Sequence, residues 1–319
     1  MTQSSSKRFG TLIKDLEMKN KYKCLVTGGA GFIGSSLVDK LIELGHEVDI
    51  IDDLSTGKKE NLNPKAGLIN WDISWDISEV YFNGEYDYVF HLAALPSVPY
   101  SIKHPTKTHR VNVGGTYNIL KGSLDSKVKK VIFASSSAVY GNQELPNIET
   151  MPLKPESPYA FHKVIGEQYC KMFSDIYNLP TVVLRFFNVY GKRADPNSEY
   201  SLVIAKFLKL KKEGKPLVIY GDGEQTRDFV HVSDVVNALI LAMTKPVENE
   251  VINICSGESS SINNIADIIS DKKEYLPPRK GDVLHTLGNS SKAKRLLGWE
   301  SEITIEDGIK ELERCYPSN

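Results

Sequence analysis

The sequence predicts an α/β fold, a doubly wound parallel sheet with a smaller C-terminal region, and three observations predict it. Short runs rich in Val, Ile and Leu alternate with longer amphipathic runs from Lys23 onward, the pattern of strands buried on both faces between helices. A glycine-rich turn, Thr27-Gly28-Gly29-Ala30-Gly31-Phe32-Ile33-Gly34, joins the first apolar run to the first long helix. Past Gly191 the alternation gives way to Gly, Pro and charge clusters at Lys192 to Asn197, Lys211 to Pro216 and Tyr275 to Asp282, as expected of a loop-rich region that covers strand ends.

The elements follow in order. Phe9, Leu12, Ile13 and Leu16 recur at i, i+3, i+4 and i+7, which predicts a short amphipathic helix ahead of the first strand. Strands are expected at Lys23 to Thr27, Glu47 to Ile51, Tyr88 to Leu92, Lys130 to Ala134 and Thr181 to Leu184. Ile33, Leu37, Val38, Leu41 and Ile42 make a helical stripe that Gly45 can end, and Phe161, Ile165, Tyr169, Met172 and Ile176 make another. A helix over Val232 to Met243 and a strand over Val251 to Ile254 return the chain to the sheet. The expected division is an extension at 1–20, a nucleotide-binding domain of 21–190 with 229–257, and a second domain of 191–228 with 258–319.

Composition narrows the function. A chain of 319 residues that is 41% hydrophobic and 25% charged is an ordinary globular protein, not a disordered or fibrous one. A formal net charge of −1 gives no electrostatic reason to expect nucleic acid or an anionic membrane as partner, so small-molecule chemistry is favoured. Cys24, Cys170, Cys255 and Cys315 are scattered without a Cys-x-x-Cys pair, so neither a disulfide framework nor a metal site is expected. Met1 to Asn20 lacks the apolar run of a secretory signal, and no segment approaches the roughly 18 uninterrupted apolar residues of a membrane span, so the cytoplasm is the default.

The glycine-rich turn places Gly28, Gly31 and Gly34 where backbone must turn tightly and approach a pyrophosphate, and the helix that follows supplies amide donors. Asp52 ends the next strand, where a carboxylate holds an adenosine ribose and repels a 2′-phosphate. NAD is therefore expected over NADP. Asp53 beside it either strengthens that repulsion or serves a turn.

Ser157-Pro158-Tyr159-Ala160-Phe161-His162-Lys163 sets a phenol and an ammonium four residues apart at a helix start, with Ser157 as N-cap and Pro158 at the first helical position. Residues i and i+4 share one face. A neighbouring ammonium favours the phenolate, as a general base acting on a sugar alcohol requires. The bland alternative for such a pair is a solvated helix face. His91, at a strand end, has no acidic or nucleophilic neighbour in sequence and is assigned to packing or a turn.

With this glycine spacing, His91-Leu92-Ala93-Ala94, Asn112, Ser135-Ser136-Ser137-Ala138-Val139-Tyr140-Gly141 and Tyr159-x-x-x-Lys163, the chain resembles the extended short-chain dehydrogenase/reductases, of Rossmann-type fold. Arg185-Phe186-Phe187-Asn188-Val189-Tyr190-Gly191, Gly221-Asp222-Gly223-Glu224-Gln225-Thr226-Arg227-Asp228-Phe229 and Arg279-Lys280-Gly281-Asp282 resemble the nucleotide-sugar segments of its epimerase and dehydratase branch. In that branch 4,6-dehydratases carry Asp-Glu after the catalytic hydroxyl and decarboxylases a Glu at the position of Ala138; here Ser136 is followed by Ser137 and Ala138. The resemblance therefore implies epimerisation at C4, most closely as in the 4-epimerases of UDP-N-acetylglucosamine. Departures include His162, where a Ser is common, and a shortened stretch between Asp267 and Arg279.

The resemblance implies Tyr159, Lys163 and Ser136 as the catalytic set. It places Gly28, Gly31, Phe32, Ile33, Gly34, Asp52, Asp53, Asp72, Ile73, Leu92, Ala93, Ala94, Asn112 and Ser135 along NAD, with Asp76 as an alternative to Asp72 because Trp-Asp-Ile-Ser occurs twice. Ser97, Ser137, Asn188, Val203, Tyr220, Arg227, Arg279, Asp282 and Thr286 fall along the UDP-sugar. Arg227 and Arg279 suit the diphosphate, since a guanidinium pairs bidentately with phosphate oxygens. Thr286 stands where a bulky Tyr accompanies unacetylated hexoses, and a small residue there leaves room for a 2-acetamido group. A UDP-glucose or UDP-glucuronate 4-epimerase is the alternative, and a non-catalytic dinucleotide-sensing protein is the rival from another class. Relatives commonly pair as homodimers through helices matching Pro105 to Leu124 and Pro158 to Tyr177.

Overall fold

The computed structural model describes residues 20–77, 86–196, 203–278 and 284–315. The amphipathic segment from Phe9 to Leu16, together with Arg279 and Asp282, lies outside the described residues. Seven strands form one sheet: β1 (Lys23–Thr27), β2 (Glu47–Ile51), β3 (Gly67–Ile69), β4 (Tyr88–His91), β5 (Lys130–Ser136), β6 (Thr181–Phe186) and β7 (Glu250–Ile254). Their order is β7-β6-β5-β4-β1-β2-β3 and every pairing is parallel. The chain runs outward from β1 to β3 and then returns to start β4 on the other side of β1. This reversal opens a crevice beyond the C-terminal ends of β1 and β4, where open α/β sheets bind their ligands.

The strands β1 and β2 keep their expected bounds. Strand β4 stops at His91, and the Leu92 amide makes its last backbone bond to β1, donating to Thr27 O at 3.2 Å. Strands β5 and β6 run on to Ser136 and Phe186, which lie opposite each other in register. That extension delivers Ser136 to the crevice. Strand β3 has no sequence signal: it is a three-residue edge strand whose Leu68 is exposed.

Among the described residues there are ten α-helices: α1 (Phe32–Glu43), α2 (Val98–Lys103), α3 (Pro105–His109), α4 (Gly115–Asp125), α5 (Pro158–Tyr177), α6 (Val203–Lys212), α7 (Val232–Thr244), α8 (Ile262–Ile269), α9 (Ser291–Leu297) and α10 (Ile305–Cys315). Leu37, Val38 and Leu41 of α1 join Val235 and Leu239 of α7 on one face, against Val26, Ile50, Phe90 and Ile132. Ile119 and Leu120 of α4 join Cys170 and Phe173 of α5 on the other face, against Leu25, Val89, Val131 and Phe133. Each such side chain contributes about 1.5–3 kcal/mol on full burial, so these two layers fix the strand ends that carry the site.

A third core, with Phe207, Leu217, Ile219, Ile265 and Ile309, sits beneath α6, α8, α10 and the parallel pair Leu217–Tyr220 and Lys273–Leu276. Helix α9 and Trp299 pack into the main core instead, where the Trp299 indole donates to Asp234 O at 2.8 Å. Among the described residues no helix is long and apolar enough to cross a membrane.

Candidate active site

The turn after β1 is built to let something approach its backbone. Gly28 has φ +73°, a conformation that favours glycine, and a Cβ there would lie 2.8 Å from the Ala93 amide nitrogen. A Cβ on Gly34 would be driven into the Gly28 carbonyl. Gly31 is the N-cap of α1 and offers no side-chain cap, and the first turn holds no acid. The amides of Phe32 and Ile33 therefore point out of the helix start as free donors for an anion. Leu92, Ala93 and Ala94 line the opposite wall: Leu92 and Ala93 each bond Thr27, the latter to its hydroxyl at 3.2 Å. A cradle of glycines, an uncapped helix terminus and small wall residues fits the pyrophosphate of a dinucleotide.

The Asp52 carboxylate accepts from the Ala30 amide at 2.9 Å and the Leu54 amide at 2.8 Å, which ties the cradle to the end of β2. Burial pushes its carboxyl up, and these two bonds oppose the shift. A carboxylate accepts at about four positions, so a ribose diol fits the sites that remain. Asp53 instead closes an Asx turn, accepting from Ser55 N at 2.9 Å and Ser55 Oγ at 2.6 Å. Asp72 accepts from Ser74 N at 2.9 Å and faces Arg110 at 3.6 Å.

Several expected cofactor and substrate ligands carry other loads. The Ile73 side chain is core, and a Cβ on Gly115 would press against it. The Asn112 amide is spent on the Leu95 backbone, accepting at 2.8 Å and donating at 3.0 Å. The Ser135 hydroxyl donates to Glu167 at 2.5 Å. Ser97 caps α2, accepting from Tyr100 N at 3.0 Å. For Asn112, Ser135 and Ser97 a buried polar side chain meets backbone or a distant partner, as burial requires. His91 does pack: its ring nitrogens meet Thr27 Oγ1 at 2.8 Å and Thr116 Oγ1 at 3.0 Å, and burial pulls it down to about 3.

The Ser157 cap accepts from Ala160 N at 3.1 Å, which starts α5 where the sequence places it. Ser101 Oγ accepts from Tyr159 N at 3.1 Å and so anchors the same turn; as a lone serine it carries no signal in the sequence. Tyr159 is buried, and its side chain is hydrogen-bonded with Ser136 at the end of β5. Lys163 Nζ donates to Ala134 O at 2.7 Å and stands 5.9 Å from the Tyr159 ring centroid. Tyr159, Lys163 and Ser136 are thus brought together, with Ser137 opening the turn that follows. Among the protein's own groups burial dominates at Tyr159 and pushes the phenol up, with the Ser136 bond pulling the other way, while burial pulls Lys163 down to about 8. At this buried pair desolvation outweighs the Ser136 bond at Tyr159 and the Glu167 charge at Lys163.

Beyond the end of β6, Asn188 Nδ2 donates to Asp228 O and to Thr286 Oγ1, both at 3.0 Å. Thr286 Oγ1 also accepts from Asp228 N at 3.1 Å. With both amide hydrogens spent, Asn188 offers an acceptor, which suits a sugar hydroxyl better than a phosphate. Asp228 itself is fully buried and accepts from Ser256 N, Ser256 Oγ, Gly257 N and Gly288 N at 2.7 to 3.1 Å. It clamps three loops around Thr286, a role its place in the motif does not announce. Arg227 Nη1 donates to Thr226 O at 2.9 Å and Leu284 O at 3.1 Å. Val203 begins α6 and Tyr220 ends the strand Leu217–Tyr220, both partly buried at the edge of the third core.

A phenol, an ammonium and a hydroxyl at the strand ends beside a dinucleotide cradle define a nicotinamide-dependent enzyme that acts on an alcohol carbon. The chain belongs to the NAD dependent epimerase/dehydratase family, whose pattern matches residues 24–255. It is 41% identical over 304 residues to a putative UDP-glucose 4-epimerase of Methanocaldococcus jannaschii, covering 92% of this chain and 98% of the relative. A solved UDP-N-acetylglucosamine 4-epimerase of Methanobrevibacter ruminantium M1, in complex with UDP-N-acetylmuramic acid, superposes with a TM-score of 0.86 at 39% identity, covering 93% of this chain and 100% of that one. A UDP-N-acetyl-alpha-D-glucosaminuronate decarboxylase of Bacillus cytotoxicus is 36% identical, over 91% of this chain and 96% of the relative.

Proposed function

We propose that this protein is an isomerase that inverts C4 of a UDP-sugar, with UDP-GlcNAc and UDP-GalNAc as the pair it serves. The observation that carries the reading is the convergence of Tyr159, Lys163 and Ser136 at the end of β5, followed by Ser137 and Ala138 instead of an acid. Bound NAD⁺ supplies the acceptor, and then the donor, of the C4 hydride. Tyr159 takes the C4 hydroxyl proton and later returns it. Ser136 hydrogen-bonds the reacting oxygen and stabilises charge that develops there. Lys163 keeps a positive charge beside the phenol. Arg227, with Arg279, holds the diphosphate so that the keto sugar can present either face.

Thr286 supports the acetylated sugar: its short side chain is held by hydrogen bonds from Asn188 Nδ2 and Asp228 N, and a small residue at this position suits a 2-acetamido group better than a bulky one. Such a pocket still accepts plain UDP-glucose, because rejecting a smaller group is worth only about 1–3 kcal/mol. The names of the relatives span both sugars. The test is proton NMR of the purified protein with UDP-GlcNAc, UDP-glucose and UDP-glucuronate in separate tubes. Fastest conversion of UDP-GlcNAc to its C4 epimer is expected. Faster turnover of another donor moves the substrate, and loss of carbon dioxide from a uronate would replace epimerisation with decarboxylation.

A homodimer is part of the proposal. Tyr117 of α4 and Phe161, Ile176 and Tyr177 of α5 are large apolar side chains left exposed on the two helices expected to pair.

A further inference from the structure

Helix α5 carries a buried acid to which the proposed reaction gives no task. Glu167 stands one turn beyond Lys163, on the same face of the helix, and is 4% exposed. Its Oε1 accepts from Ser135 Oγ at 2.5 Å and Arg185 Nε at 2.9 Å, and its Oε2 accepts from Arg185 Nη2 at 2.7 Å. The guanidinium closes on both oxygens as a bidentate, charge-assisted pair. Lys163 to Ala134 O and Ser135 to Glu167 are successive polar ties between α5 and β5. Stability alone does not account for this arrangement, since a buried ion pair is often matched or bettered by apolar residues of the same volume.

We propose, on the reading of Lys163 given above, that Glu167 is a positioning residue: it is the anion that keeps the Lys163 ammonium charged beside Tyr159, with Arg185 and Ser135 holding it in place. Other titratable groups face the same volume. His91 from β4 and His162 on α5 are kept neutral, burial pulling them down to about 3 and about 4. Burial pushes Cys170 on α5 and Tyr140 after β5 upward, so both are neutral. Arg185 from β6 is cationic and already paired. Among the described residues Glu167 is thus the carboxylate that opposes the desolvation of Lys163. Without it burial would act on the lysine with less opposition, and an uncharged amine cannot support a phenolate.

The test compares the protein with Glu167→Gln in two ways. Tyr159 ionisation is read from the 295 nm absorbance that Tyr159→Phe abolishes, in each background, with and without NAD⁺. The pH profile of kcat is read alongside. In Glu167→Gln the alkaline limb of kcat is expected to move down by about one pH unit, and the Tyr159 midpoint to move up by a similar amount. Glu167→Asp keeps the charge and, should Glu167→Gln fold poorly, is expected to leave both midpoints near the parent values, while Glu167→Gln/Arg185→Met removes both charges of the pair and is expected to move them less than Glu167→Gln does. A fall in kcat and in melting temperature with both midpoints unmoved would overturn the proposal and leave Glu167 a packing residue. Full activity in Tyr159→Phe would instead remove the base assignment, while the response of Lys163 to Glu167 would still be read from the Tyr159 titration.

Discussion

Tyr159 shows at the scale of one residue how burial and neighbours compete. Its enclosure raises the phenol and the Ser136 bond lowers it, so a phenolate requires further positive charge. In the proposed reaction Lys163 and the nicotinamide ring would supply that charge. Tyr159→Phe is expected to lower turnover by about 10²–10⁴-fold, the usual weight of a general base, while NAD binding in a fluorescence titration stays within error; retained turnover would refute the base. His91 makes the complementary point about stability. Its pKa is depressed to about 3 in the fold from an unfolded value of about 6.5. Its contribution is therefore complete above pH ~6.5 and is lost as pH falls toward about 3. Urea unfolding across that window is expected to lose up to about 1.4 kcal/mol per pH unit from this group. His91→Asn, though less stable overall, is expected to show a flatter pH slope; an unchanged slope would assign the proton uptake elsewhere.

At the scale of elements, the turn from β1 to α1 does its work through what it lacks. Gly34→Ala would drive a methyl into the Gly28 carbonyl and displace the amides of Phe32 and Ile33. At least a tenfold weaker affinity for NAD⁺ is expected, about 1.4 kcal/mol, with the parallel sheet preserved by circular dichroism; undiminished affinity would move the pyrophosphate away from this turn. This turn, the Ser157 cap and the Tyr159–Lys163 spacing were legible in the sequence because each is a local pattern in which residues a few positions apart define the geometry. The partners of Asn112, Ser135 and Ser97 were not. Motif position marks where a backbone runs, whereas the hydrogen bond of Ser135 goes to Glu167, 32 residues on, and that of Asn112 to Leu95, 17 residues back. Only the packing of α5 and the loop after β4 against the sheet selects those partners. Strand β3 escaped for a different reason, since three residues on an exposed edge carry no hydrophobic period.

At the scale of the whole molecule, the two helical layers end differently. Helix α7 is packed against α9 and the Trp299 region, but α4 and α5 present an apolar outer side to solvent. Tyr117 touches Tyr169 and Phe173, and Phe173 touches Tyr177, so the aromatics form a continuous strip across both helices. Ile176 stands beside it, 64% exposed. Contiguous exposed apolar surface of this kind marks an association site, and a two-fold axis through it would set α4 and α5 against their own copies. Ile176→Glu adds a charge that a dimer must bury close to its symmetry mate and that a monomer leaves in water. Sedimentation velocity is therefore expected to give a dimer for the parent protein and a monomer for the variant. Tyr159, Lys163, Ser136, Asn188 and Thr286 all come from one chain, so the monomer should retain turnover with a lower melting temperature. A variant that remained dimeric at the same concentration would place the interface on another surface.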